Sequence, residues 1–338
     1  MPRVPKAALA VLVALPFLVG AASAPAPAEG EVVFAFQDPE IVESSGLVVR
    51  DGLAVTVNDS GDPGRVFAVD PASGETVGVT RWDTDPRDVE AVAPAGSGEV
   101  WVGDIGDNRG VRDSIEVLRV PVGRGDRTVD PERFELVYPD GATDAETLMT
   151  EPGTGRLIVV SKGVFGGVVY RAPARLAPDR PNRLEEVGTT LGLATDGSFF
   201  PDGRHLVVRN YGRAAVLTWP RLEELGSFEL PPQEQGESIA VDERGQVLVG
   251  TEGAFSEVQR VRLPRAIDAA MVSPAPAPSP TPTPSPSVTS DDAVDEAEAE
   301  ADDDGSSTTW LVGGAVVLCL LLVLLVATAG AAARRRRG

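Results

Sequence analysis

Three glutamates recur at the same point of a repeated phrase: Val89-Glu90-Ala91-Val92, Ala145-Glu146-Thr147-Leu148 and Gly236-Glu237-Ser238-Ile239. Each opens a short apolar run of strand character, and no strand needs a carboxylate at its start to fold. Glutamates gathered around one narrow axis repel, and each holds its proton more tightly unless positive charge compensates. A hard divalent cation in a cage of carboxylate, hydroxyl and carbonyl oxygens supplies that charge, and calcium tolerates irregular cages best. A second polar series follows each phrase: Asn58 with Asp59, Asp104 with Asp107 and Asn108, Lys162, Arg209 with Asn210 and Tyr211, and Glu252. Metal-assisted phosphate hydrolysis needs a cation, an acceptor for the proton of water, and bases that hold phosphate. Asp59, Asp104 and Asp107 are candidates for the acceptor; Lys162, Arg209 and Arg112 are candidates for the bases. The competing reading is a water-filled channel whose acids are solvated or paired with Lys162 and Arg209.

Both series fall on a repeat of roughly 40–55 residues, a period that marks propellers and related arrays. Turn signals divide each repeat into short strands. The first repeat reads as 46–49, 53–58, 65–69 and 76–81; the second as 91–93, 100–104, 114–120 and 134–138. The third reads as 147–150, 157–161, 168–171 and 184–189; the fourth as 198–200, 205–209, 214–219 and 227–230. The fifth, at 238–241, 247–251 and 258–263, is one strand short. An unpaired run, Glu31-Val32-Val33-Phe34-Ala35-Phe36, precedes the first repeat. Closing the ring with that run removes both free sheet edges. The expected fold is therefore all-β, a five-bladed β-propeller whose N-terminal strand completes the last blade, with a β-sandwich as the alternative. In a propeller the innermost strand of each blade begins where its neighbour ends, so the two series converge on one mouth of the central channel. The first series then supplies Glu43 or Ser45, Glu90, Glu146, the pair Gly197-Ser198, and Glu237.

The order Ser45, Glu90, Glu146, Ser198, Glu237 resembles that of the five-bladed calcium-dependent apyrases. Those enzymes hold a calcium on the propeller axis with one ligand per blade, in the order Ser, Glu, Glu, Ser, Glu. The resemblance implies that these five residues are metal ligands and that calcium is the cofactor. Asn58-Asp59-Ser60-Gly61 and Asp104-Ile105-Gly106-Asp107-Asn108 are also similar to stretches of secreted bacterial propellers grouped with phytase-like proteins.

Other chemistries find less material. The sole histidine, His205, starts a second strand and belongs on the face opposite the acids, where it reads as a surface residue. Gly106, Gly163, Gly166, Gly167 and Gly212 read as turn glycines, since none forms a phosphate-cradling loop ahead of a helix. Trp101, Tyr170 and Trp219 are expected between blades. A net charge of −21 argues against nucleic acid as a partner.

The two ends read as targeting segments. Residues 1–24 have a basic start, a short apolar run and Ala22-Ser23-Ala24, the pattern of a signal peptide, with a retained anchor as the alternative. The propeller is assigned to 29–268. A linker, 269–309, is rich in Pro, Ser and Thr and then acidic, and extended chain of this kind reaches on the order of 100 Å at about 3 Å per residue. The apolar segment 310–330 is long enough to cross a bilayer, and the tail 331–338 carries Arg334 to Arg337, which places that end in the cytoplasm. This layout resembles a bacterial cell-wall sorting signal without the Leu-Pro-x-Thr-Gly motif. Cys319 lies in the apolar segment, so the preceding domain has no disulfide. The expected protein is a monomer anchored by a single pass, with its propeller outside the cell. Three functions compete: cation-organised binding of a small anionic ligand or cell-envelope partner, calcium-dependent phosphohydrolysis, and metal-free adhesion.

Overall fold

Near-continuous apolar runs of four to eight residues, broken by glycine-bearing turns, favour strands buried on both faces, as the inner strands of a ring of sheets are. The computed structural model describes residues 27–59 and 61–272. The expected signal peptide, transmembrane segment and tail, and the linker beyond residue 272, lie outside the described residues. Among the described residues no helix is long and apolar enough to cross a membrane.

The strands form five antiparallel sheets in a ring. Blade one holds β2 (Ser44–Arg50), β3 (Leu53–Asn58), β4 (Arg65–Val69) and β5 (Thr76–Arg81). Blade two holds β6 (Val89–Gly96), β7 (Glu99–Asp104), β8 (Ile115–Pro121) and β10 (Glu132–Val137). Blade three holds β11 (Ala145–Thr150), β12 (Leu157–Ser161), β13 (Gly167–Arg171) and β15 (Glu185–Thr190). Blade four holds β16 (Asp196–Phe199), β17 (His205–Arg209), β18 (Arg213–Thr218) and β19 (Glu224–Glu229). Blade five holds β20 (Gly236–Val241), β21 (Val247–Thr251) and β22 (Glu257–Val261), and β1 (Gly30–Ala35) supplies its outer strand. The pairing of β1 with β22 runs from Gly30 opposite Val261 to Ala35 opposite Glu257. The N-terminal run therefore closes the ring as its sequence predicts.

Three small elements have no counterpart in the sequence reading. Two-residue strands, β9 (Arg127–Thr128) and β14 (Asn182–Arg183), add in parallel to the outer edges of blades one and two. They shield edges that would otherwise present unpaired backbone groups. A short helix, α1 (Arg265–Val272), lays Ile267 against Gly226 of β19. Residue 269, the expected start of the linker, falls inside this helix.

The apolar core is divided among the seams between blades. One cluster joins blades one and two through Val55, Trp82, Val102 and Leu118; another joins blades two and three through Phe134, Tyr138, Leu157 and Tyr170. Equivalent clusters fill the remaining three seams, the last between blades five and one. The aromatic residues serve these seams: Tyr138 and Tyr170 meet edge to face at 4.9 Å, and the Trp219 indole donates to Glu151 of blade three at 2.6 Å. Trp101 packs on Phe134 at 5.6 Å within its own blade, at the edge of the second seam.

Candidate functional site

The first residue pairs of the inner hairpins fix one end of the channel. Ser44 faces Asn58, Val89 faces Asp104, Ala145 faces Ser161, Asp196 faces Arg209 and Gly236 faces Thr251. The next residue along each inner strand is Ser45, Glu90, Glu146, Gly197 or Glu237. Pairing is interrupted at Glu90, Glu146 and Glu237-Ser238, where an extra residue stands unpaired. Such a bulge turns a side chain out of the regular alternation. In β2 the interruption falls at Gly46, whose φ of +73° and close approach to the Val92 backbone nitrogen exclude a side chain. β16 pairs without interruption.

The densest acidic group lies between blades one and two. Carboxylate oxygens of Asp59, Asp88 and Glu90 lie within 4.8 Å of one another. Glu90 is 4% exposed, and no donor among the described residues hydrogen-bonds its carboxylate. Burial first, and then the charges of Asp59, Glu146 and Asp88, push its pKa to about 10. Burial and the Asp59 charge also raise Asp88. Gly106 makes the approach possible: a β-carbon there would stand 2.5 Å from Asp88 Oδ2 and 2.7 Å from Glu90 Oε1.

The other acids around the mouth are more fully engaged. Glu146 accepts from Lys162 through Oε1, while its Oε2 is buried without a hydrogen-bond partner. Burial outweighs the lysine and lifts Glu146 to about 8. Burial alone would pull Lys162 down, but Glu146 and Tyr211 more than offset it and hold the ammonium above its usual value. Lys162 Nζ also sits 5.4 Å from the centre of the Tyr211 ring. Glu237 accepts from Gln235 Nε2 at 3.2 Å, and burial raises it to about 7. Asp144 Oδ1 accepts from the Asp107 backbone at 2.8 Å.

The residues named for metal binding are thus placed differently from one another. Glu90, Glu146 and Glu237 stand at equivalent registers of their blades. Ser45 shares that register, and its hydroxyl donates to the Glu90 carbonyl at 2.7 Å. Ser198 does not, because Gly197 holds the corresponding place in blade four. The Ser198 hydroxyl accepts from the Val241 backbone at 3.1 Å, toward the opposite end of the channel.

Of the catalytic candidates, Asp59 joins the acidic group and Lys162 is paired with Glu146. Asp104 is buried and accepts from Arg112 Nη1 at 2.7 Å and from the backbones of Arg87 and Asp88. Asp107 accepts from the backbones of Val111 and Arg112, closing the loop after β7. Arg209 has no exposed surface and donates to the carbonyls of Asn210, Tyr211, Ser238 and Gly250 and to Gln233. These last three side chains build the walls of the mouth and leave no bond for a substrate.

Asp88 is the residue that sequence reading left out of the ligand set. Its signal was the recurrence of Glu43, Asp88 and Asp144 two positions ahead of Ser45, Glu90 and Glu146. The opposite end of the channel opens into a cavity of about 650 Å³ bordered by Arg50, Trp101, Glu151, Ser198 and Asp242. His205 lies on the hairpin joining β16 and β17, at the end away from the acids. It is buried rather than a surface residue, with Nδ1 2.6 Å from Asp202 Oδ2.

No protein-family model matches the chain, and no curated protein matches it either. Among solved structures, the glutaminyl cyclase of Myxococcus xanthus aligns at 12% identity and a TM-score of 0.45, over 70% of this chain and 98% of that one. The propeller assignment rests on the strand pairing described above.

Proposed function

We propose that this propeller binds a divalent cation, calcium by its oxygen donors, between blades one and two at the channel mouth. The observation that carries the reading is Glu90, a buried carboxylate that accepts from no side chain or backbone among the described residues and shares its space with Asp59 and Asp88. Calcium accepts oxygen ligands at about 2.4 Å, so oxygens with the spacing found here can share one ion. The ion would displace the proton that burial holds on Glu90 and compensate the three carboxylates together. Asp59, Asp88 and Glu90 replace the five-ligand axial set as the proposed holders, with Glu146 Oε2 and Glu237 farther round the mouth.

A small anionic ligand at this mouth would bind through the ion, because the nearby bases Lys162, Arg112 and Arg209 are engaged with protein groups. For the same reason the three side chains named for holding phosphate are occupied, and the phosphohydrolase alternative is not the reading favoured. The signal-peptide and apolar-segment patterns support display of the domain on the outer side of a membrane. The test is calorimetric titration of calcium into the chelator-treated full chain in detergent solution. The expected result is one ion bound per chain, lost in the Asp88→Asn, Glu90→Gln double variant. No binding by the wild type would leave a metal-free interaction scaffold as the function.

A further inference from the structure

We infer that the face around the acidic mouth is a docking surface for a protein segment that presents a basic side chain between apolar ones. The inference goes beyond the cation reading and does not depend on it. It starts from where apolar side chains are left in water. The loops between the second and third strands of blades two to five all open onto the mouth, and each carries at least one: Val111, Phe165 with Val164, Tyr211 and Phe255. Val42, on the approach to β2, adds to the same face. Phe165 is wholly exposed and Phe255 is 55% exposed. The other large apolar side chains exposed among the described residues are Val32 and Val33 on β1, and Val272 at the end of α1.

Loops of this kind fold with polar residues, so apolar ones in four loops around one opening need a cause outside folding. Exposed apolar groups gathered on one face around a polar opening mark an interaction surface, and aromatic side chains dominate binding energy there. Phe255 adds a conformational argument. It adopts φ of +62°, a left-handed conformation unfavourable for a bulky residue.

Charge selects the partner. On the same face Glu43, Asp59, Asp88, Asp144 and Glu252 are at least partly exposed, an acidic excess over the exposed Arg87 and Arg109 of the same loops, and the lysine nearest them, Lys162, is paired with Glu146. An anionic membrane surface or a nucleic acid would bring like charge to this mouth, whereas a lysine or arginine of a protein partner brings the complement. One divalent ion at the Asp59 group would neutralise two charges and leave Asp144 and Glu252 facing the partner.

The test is fluorescence anisotropy of two labelled peptides, one alternating leucine and lysine and one alternating leucine and glutamate. The full chain is titrated in detergent solution with chelator present, so that failure of the cation reading does not affect the outcome. The lysine peptide is expected to bind at least about tenfold more tightly than the glutamate peptide, a difference typical of matched against mismatched charge at an interface. The Phe165→Ser, Phe255→Ser double variant changes only exposed side chains and is expected to lose about tenfold in affinity, as truncation of aromatic anchors does. Equal affinity for the two peptides would overturn the proposal, as would wild-type affinity in the double variant. Phosphatidylserine bicelles are the competing probe. If they bind in a way the double variant abolishes, and the lysine peptide does not, the face belongs to a lipid surface and the proposal fails.

Discussion

At the residue scale, the mouth is governed by burial acting on carboxylates. Glu237 illustrates this without belonging to the proposed ligand group. Its Gln235 hydrogen bond and the Lys162 charge favour the ionised form, yet burial raises its pKa from 4.5 to about 7. A carboxyl with a raised folded-state pKa holds its proton more tightly in the native protein than in the unfolded chain. Its contribution to stability is therefore complete below the unfolded value and is lost as pH rises through the folded one. Urea unfolding in chelator is expected to show stability falling from pH 4.5 to pH 7. In Glu237→Gln part of that slope should disappear, and an unchanged slope would mean that Glu237 ionises freely. The glutamates themselves were legible in the sequence because each opens an apolar run that needs no carboxylate. Their environments were not, because the engagement of Lys162, Arg112 and Arg209 depends on residues up to 41 positions away.

At the element scale, the hairpin ends decide which polar residues face the channel and which hold blades together. Arg209 ends β17 as Asp104 ends β7, and both looked like mouth chemistry in the sequence. Arg209 instead reaches across to blade five, where it meets the carbonyls of Ser238 and Gly250 at 3.0 and 3.2 Å. Burial lowers its pKa to about 10, while Glu237 and Asp196 act to keep it charged. Arg209→Met would fill much of the volume but leave those carbonyls without donors. The expected cost is on the order of 3 kcal/mol, the scale for removing one member of a buried charged network. It should appear as a lower urea midpoint with little change in slope. A midpoint like that of the wild type would show that this seam is held by its apolar cluster alone. The short strands β9 and β14 and the helix α1 were illegible for a related reason. Two residues carry no periodic signal, and α1 is positioned by the contact of Ile267 with Gly226.

At the scale of the whole molecule, the five-fold repeat and its N-terminal closure were legible because strand patterning, turn residues and the missing last strand agreed. Every blade strand begins within two residues of its expected position except β19, which starts at Glu224, and the two-residue shifts fall mostly at the innermost strands, where bulges blur the alternation. The acidic group at the mouth was legible as a surplus of acid but not as an address. Its residues come from two blades and a loop, and only the ring brings Asp59 beside Asp88 and Glu90. An ion that binds the closed ring and not the unfolded chain must stabilise it. The most direct measurement is thermal unfolding of the full chain in detergent solution, first in excess chelator and then in millimolar calcium. A hundredfold excess over the dissociation constant is expected to add roughly 2.7 kcal/mol, with a clear rise in Tm. A Tm that stays the same in both conditions would contradict the cation site.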